Sequence, residues 1–379
     1  MPVPARAAAA GLLLALAACS TAAPSSSTSP RSAPAPAGSP SAGSPSAGSP
    51  SVPSPSLSPS RSGTPRPAGD GVLTLAFAGD VHFANQLAPL LQRPDSALAE
   101  LRPTLGRADL AVVNLETALT SRGAPAPKTW HFRSPPAALD VLAGAGVDVV
   151  SLANNHAVDY GPVGLRDTLA ARRDSPLPVV GIGKDAEEAF SPAVVEVEGR
   201  RVAVLAATQV PDWTAFNAAA GAATPGVAVA LDPTRLARAV RDARGKADVV
   251  VVYLHWGTDY TSCPDASQRS TSRLLADAGA DVVVGTHAHQ LQGAGWLGRT
   301  YVSYGLGNFV WWRRNSATQA ATGVLTLTLQ GRRVVEEDWV PLAIEEDGIP
   351  RRPGREQAQV QLADRERVRQ CSGLAAAAP

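Results

Sequence analysis

The sequence predicts an α/β fold, and three observations carry that reading. Short β-branched apolar runs recur from Val72 onward, as in "ADVVVVYLHWG" and "ADVVVGTHAHQ". Runs of about four to seven such residues fit strands buried on both faces. Segments of helical character lie between them, and each run stops abruptly at polar residues of metal-binding type. In α/β sheets, ligands collect at the loops beyond the strand carboxyl ends.

Taken in order, the chain begins with a targeting segment. Arg6 precedes an apolar stretch from Ala7 to Ala18, too short to span a bilayer as a mature helix, and Leu16-Ala17-Ala18 leads directly into Cys19. A small-residue cleavage site followed at once by cysteine resembles a bacterial lipobox. Residues 1–18 are therefore expected to be removed and Cys19 acylated, which would anchor the chain outside the cytoplasmic membrane. An ordinary secretory signal with an incidental cysteine is the alternative. Residues 19–70 are rich in Pro, Ser, Gly and Ala, and "AGSPS" occurs three times in succession. Such a segment cannot bury enough apolar surface to offset its ordering entropy, so a disordered tether is expected. Partly extended, it would reach on the order of 150 Å.

A folded domain is expected over 71–345, with 346–379 a tail packed on it. Its apolar runs end in Asp80 and His82, in Asn114 and Glu116, in Asn154, Asn155 and His156, in His255, in His287 and His289, and in Asn308. Helical segments intervene. "SPPAALDVLAGAG" offers Ser134 as its N-cap, and the segments ending at Gly245 and Gly279 close on glycine. Cys263 and Cys371 lie in the exported part, where thiols tend to be oxidised, and a disulfide between them is expected over two free thiols.

Composition narrows the function. The net charge is +1, so bulk electrostatic binding of nucleic acid is excluded. Five of the six histidines fall in the strand-end clusters, His131 being the exception. Imidazole, carboxylate and amide oxygen without thiolate suit Zn, Mn or Fe. The candidates Asp80, His82, Glu116, Asn155, His255, His287 and His289 are too many for one ion and suit two divalent metals sharing a bridge. Such a pair clamps the attacking and leaving oxygens of a displacement. Asp80 or Glu116 has the oxygens to bridge. Past the strand end the chain can turn, so that His287 and His289 each face a different metal.

The motifs "AGD", "NLET", "LANNHAVDYG", "LHWGTDY", "GTHAHQLQG" and "SYGLGNF" appear in this order between Leu73 and Val310. In this they resemble the CapA family, linked to poly-γ-glutamate capsule synthesis, whose pattern includes "ANNHxxDYG" and "HWGxEY". More distantly they resemble the calcineurin-like metallophosphoesterases. The resemblance implies an α/β/β/α sandwich, its sheets flanked by helices. It also implies that Asp80, His82 and His289 bind one metal and that Asn155, His255 and His287 bind the other. Glu116 stands where the phosphoesterases have their bridging Asp. His156 would be the general acid and Asp159 would orient it. The chain departs from the phosphoesterase pattern in two places. Glu116 comes from N-L-E, and Asp159 is three residues past His156 rather than adjacent.

Further expectations attach to Lys128 and Arg133, with His131, in "KTWHFR", as groups that reach an anionic substrate or else lie on a solvated loop. Trp256 is expected to wall the pocket or to pack in the core, Trp311 and Trp312 to hold a polymer or sugar or simply to pack, and Asn308 to support the site by hydrogen bonding. The leading functional expectation is a surface-anchored two-metal hydrolase or transferase acting on a cell-envelope polymer or phosphoester. A non-catalytic accessory of capsule polymer assembly or export, working beside membrane synthase or export proteins, is the alternative. A surface binding protein with a structural metal is the third reading.

Overall fold

The structure, a computed structural model, describes residues 71–379. The expected signal peptide, Cys19 and the tether lie outside the described residues. Two large sheets dominate. The first has eight strands, ordered Pro350–Arg351, Arg333–Ile344, Ala321–Gln330, Val72–Val81, Leu110–Leu115, Val149–Ser151 and Val179–Val180, with Asn308–Val310 pairing alongside Val72–Val81. From Val72–Val81 to Val179–Val180 the strands are parallel, while the other edge is antiparallel. The second sheet has six strands, ordered Ala294–Leu297, Thr300–Ser303, Val282–His287, Val249–Trp256, Arg200–Thr208 and Ala193–Val197. Its four inner strands are parallel.

The period of two along these strands builds the layers. Val202, Val204, Val249, Val251, Tyr253 and Val284 share one core with the first sheet's Leu75, Phe77 and Val112. The intervening Ala203, Leu205, Val250, Val252, Leu254 and Val283 pack with Leu236, Val240 and Leu275 of helices Thr234–Arg244 and Ala266–Ala278. Helices Ala137–Gly144 and Gly161–Arg173 cover the first sheet, so the layering is helix, sheet, sheet, helix. Burial on both faces explains why the runs read as unbroken apolar stretches. Polar bonds also cross the interface, among them that from the Tyr253 hydroxyl to the Ala78 carbonyl at 2.6 Å.

Gly279 closes Ala266–Ala278 at φ +104° as expected, and Asp265 and Gln268 add a capping box at its start. The expected N-cap at Ser134 is not formed. Ser134 precedes Pro135, which disfavours helical backbone. It lies in a two-residue strand paired with Ala118–Leu119, and the helix starts only at Ala137. Among the described residues no helix is long and apolar enough to cross a membrane.

The C-terminal residues join both sheets. Pro350–Arg351 extends the first, helix Arg355–Gln370 follows, and Ala375 exchanges backbone hydrogen bonds with Trp296 at the edge of the second. Cys371, at the end of that helix, is disulfide-bonded to Cys263, 108 residues earlier. Closing a loop of that length stabilises by up to about 4–5 kcal/mol through the unfolded state. The unreduced, unfolded domain should therefore show no free thiol from this pair. Its reduction should lower the midpoint of denaturant unfolding, and two titratable thiols would refute the linkage.

Candidate metal centre

The site forms where the carboxyl ends of both sheets converge. Parallel register sets Asp80 beside Asn114 on one side and Asn308 on the other, while in the second sheet Trp256 pairs with His287. Asn308 does not end its apolar run as expected. Strand Thr300–Ser303 stops in the second sheet, and the chain crosses to open Asn308–Val310 in the first. That crossing brings backbone against backbone. A Cβ on Gly79 would lie 1.9 Å from the Gly307 carbonyl oxygen, so only glycine permits the approach that lets the Asp80 N–H donate to Gly307 at 2.9 Å.

Asp80 is fully buried and ties the sheets together. It accepts from Asn114 Nδ2 at 2.8 Å and from the backbone N–H of His287, across the interface, at 3.2 Å. Burial raises its carboxyl above the ordinary value, against the pull of His289 and these hydrogen bonds. Asn114 is itself held, its Oδ1 accepting from Asn154 Nδ2 at 3.0 Å. Nearby, His255 Nε2 lies 2.9 Å from Asn155 Oδ1, 3.2 Å from His287 Nδ1 and 3.9 Å from Glu116 Oε1. Burial pushes both His255 and His287 well below the usual imidazole range. Neutral imidazole is the form that binds metal.

The paired histidines leave the strand in left-handed conformation, His287 at φ +92° and His289 at φ +55°. Non-glycine residues held there cost of order 1–3 kcal/mol each, and such strain clusters at functional sites. The turn gathers both rings beside Asp259, the ligand atoms of the three lying within 4.8 Å of one another. Asp80, Glu116 and His255 form a second such group. His289 Nδ1 also lies 3.7 Å from Asp80 Oδ2 and His287 Nδ1 lies 3.2 Å from His255 Nε2, distances compatible with the expected division of the two histidines between metals, and Asp259 is an addition to the expected set. Asn308 Oδ1 lies 2.8 Å from His289 Nδ1, an arrangement that fixes ring orientation and leaves Nε2 toward the cavity.

His82 is directed elsewhere. Its Nδ1 accepts from the Ala84 N–H at 3.0 Å, the Trp312 N–H points at Nε2 at 3.4 Å, and the ring stacks on Phe132 at 4.5 Å. With both nitrogens facing backbone donors, it supports the aromatic wall rather than joining the ligand groups. Trp256 packs in the core and not against the pocket. It alternates with His255 along its strand, so it is buried on the helix side, with Nε1 donating to Tyr304 at 2.8 Å. Arg133 is exposed, its guanidinium 4.5 Å over the Tyr160 ring, and His131 Nε2 lies 2.7 Å from the Ala126 carbonyl oxygen.

His156 Nδ1 lies 2.6 Å from Asp159 Oδ2, which also accepts from the Phe132 N–H at 2.7 Å. Its Nε2 is 3.6 Å from Glu116 Oε1. Burial lowers its affinity for a proton, and Asp159 opposes that effect. Lys128 does not reach outward toward an anionic substrate as expected. Its Nζ contacts Asp159 Oδ1 at 2.9 Å, Asp212 Oδ2 at 3.2 Å and the Asn155 carbonyl at 2.5 Å. Breaking a buried pair leaves an uncompensated charge, so Lys128→Met should cost about 3–5 kcal/mol in denaturant unfolding. A loss under about 1 kcal/mol would show that the clamp contributes little.

Glu116 supplies the test of whether these residues fit a metal. Both of its carboxylate oxygens are buried and neither has a hydrogen-bond partner. Burial first, then the nearby Asp80 and Asp259, push its carboxyl well above the ordinary range. A buried carboxylate left in this way is costly unless a cation joins it. The imidazole, carboxylate and amide set around it fits Zn, Mn or Fe. Glu116→Gln should therefore lower the bound metal measured by elemental analysis. After chelation, the same variant should melt no lower than the parent chain, because it removes a carboxylate that only a metal satisfies. Full metal retention would remove Glu116 from the site.

The family described as "Bacterial capsule synthesis protein PGA_cap" matches residues 74–311. The PGA biosynthesis protein CapA of Bacillus subtilis (strain 168) is 34% identical over 248 residues, 64% of this chain and 64% of that protein. The chain thus spans less than two thirds of that relative. The capsule biosynthesis protein CapA of Bacillus anthracis is 30% identical over 292 residues, 74% of this chain and 69% of its own length. Among solved structures, a phosphatase from Mycoplasma pneumoniae overlaps 72% of this chain and 94% of its own, with a TM-score of 0.46 and 13% identity. By the extent of the family match and the B. anthracis relative, the chain belongs to the PGA_cap family of bacterial capsule synthesis proteins.

Proposed function

We propose that the protein is a lipid-anchored, extracytoplasmic enzyme of capsule polymer metabolism. With two divalent metal ions it would hydrolyse, or transfer, a bond of a cell-envelope polymer or phosphoester. The observation that carries this reading is the Glu116 carboxylate, buried without a hydrogen-bond partner among converging ligand atoms. Asp80, Glu116 and His255 would hold one ion, with Asn155 beside them, and Asp259, His287 and His289 the other. Bound there, divalent ions supply Lewis-acid polarisation of the scissile group and activation of water.

The chain's own residues do the rest. Asp159 accepts a hydrogen bond from the His156 Nδ1–H, which turns Nε2 toward Glu116 and the cavity. From there His156 protonates the leaving group. Lys128 keeps Asp159 from swinging away, and Thr214 Oγ1 joins it on the Asn155 carbonyl at 2.6 Å, fixing the loop that carries both Asn155 and His156. A second reading, a non-catalytic accessory of polymer synthesis beside membrane partners, is favoured by the relatives' description as biosynthesis proteins. A binding role needs no oriented proton donor, which is why the His156–Asp159 pair favours catalysis.

His156→Gln separates the readings. The variant should keep its metal and lose about 10²–10⁴-fold in rate on esters with poor leaving groups. The loss should shrink on aryl phosphates, whose leaving groups need no proton. Loss of metal would make His156 a ligand. Full activity on every ester, or none in the parent chain loaded with metal, would favour the accessory role.

A further inference from the structure

The mouth of the metal cavity carries a group that the reaction described above does not use. Arg313 is exposed there, and its guanidinium carbon lies 5.4 Å from the ring centre of Trp130 and 5.4 Å from that of Trp312. The two indoles meet edge-on at 6.3 Å, and Trp130 is 51% exposed although it is a large aromatic. Among the described residues lining this cavity, Arg313 is the one Lys or Arg, and no carboxylate pairs with it. Its neighbour Arg314 pairs with Glu346 at 3.4 Å, and Lys128 is taken up by Asp159 and Asp212.

We propose that Arg313, braced between Trp130 and Trp312, anchors a carboxylate on the substrate at a point away from the reacting bond, and so selects a carboxylate-bearing chain. A guanidinium held by its face against aromatic rings keeps its edge N–H groups free. That edge grips one carboxylate with two parallel hydrogen bonds. No second cation joins it, so the subsite suits a singly charged carboxylate better than a phosphate. The exposed Trp130 and the half-buried Trp312 then cover the apolar stem between charged groups. The brace is itself anchored. Trp312 is held by His82 through its N–H and by Gln86 through its carbonyl, and His82 packs edge-on against Trp311 at 4.4 Å.

This inference rests on the cavity being the working site, and calorimetry on the full chain tests it. The probes are a γ-linked glutamate oligomer, the same oligomer fully amidated, inorganic phosphate and a neutral oligosaccharide. The carboxylated oligomer should bind, and Arg313→Gln should weaken it about tenfold or more, as expected for a lost charge-assisted bond. Arg313→Lys should restore only part, because a point charge lacks the fork. The amidated oligomer should bind weakly and equally to both chains. Equal binding of the carboxylated oligomer to the parent and Arg313→Gln would overturn the proposal. So would no binding at all, phosphate as the Arg313-dependent ligand, or an oligosaccharide that occupies the indoles regardless of Arg313. Metal content of the same samples separates the two readings. A metal-loaded chain indifferent to Arg313→Gln overturns the anchor alone, and an Arg313-dependent chain without metal overturns the metal reading alone.

Discussion

A single buried carboxylate, that of Asp80, constrains the rest of the molecule. It belongs to the first sheet, yet one of its oxygens accepts from the backbone of His287 in the second. A buried charge must be compensated, and the compensation available here comes from the two sheets at once. Their relative position is therefore fixed at the site as well as in the apolar core. The Tyr253–Ala78 bond does the same two residues before His255 and Asp80 on their strands. Strands that carry ligands on separate sheets can build one centre only if the sheets do not slide, and these polar ties resist sliding where packing alone would not.

From that tie the site is organised by parity. Along Val249–Trp256 the residue facing the other sheet is His255, while Trp256 faces the helices. Along Val282–His287 the chain reaches the same end and then leaves strand geometry altogether. The left-handed backbone at His287 and His289 stores strain, and neighbouring structure must hold it. Asn308 does part of this through His289, and it can reach that ring because Gly79 lets the crossing segment lie against the first strand. Burial then favours the neutral form of His255 and His287 and disfavours the charge on Glu116. These trends are the ones a cation would exploit, since it needs bare imidazole nitrogen and rewards a carboxylate that water cannot reach.

Much of this was legible in the sequence because strands buried on both faces leave an unmistakable apolar run, and because polar residues that end such runs must lie at one edge of a sheet. The α/β alternation, the helix ending at Gly279 and the gathering of His255, His287, Asp80 and Glu116 follow from that. What spacing could not reveal was which way a side chain turns once the strand has ended. His82, two residues past Asp80, fits a ligand pattern, but the Ala84 and Trp312 amides take its nitrogens. Lys128 reads as a surface cation until Asp159 and Asp212 are seen around it. Asp259 lies in "HWGTDY", where the family pattern also has an acid, and that signal could have found it; being exposed and past the strand, it carried no periodic mark.

The same limit applies to the segment "GTHAHQLQ", whose glutamines received no role from the sequence. Gln290 and Gln292 are buried, and each donates into the loop that carries Asp259, to Ser262 Oγ at 3.2 Å and to the Thr261 carbonyl at 2.9 Å. Gln268, from the helix behind, donates to Gln292 Oε1 at 2.8 Å, and the Tyr260 N–H donates to the Ala288 carbonyl at 2.9 Å. The loop is thus joined to the histidine segment along its length, and at its far end Cys263 is bonded to Cys371. An exposed aspartate on a free loop would lose much of its binding energy to the entropy of being ordered. Here that ordering is already supplied by buried amides and a covalent link, so Asp259 is presented to His287 and His289 before any ion arrives. The histidine pair and the glutamines that follow it therefore act as one device: the first two side chains face the cavity, and the next two hold in place the loop that completes it.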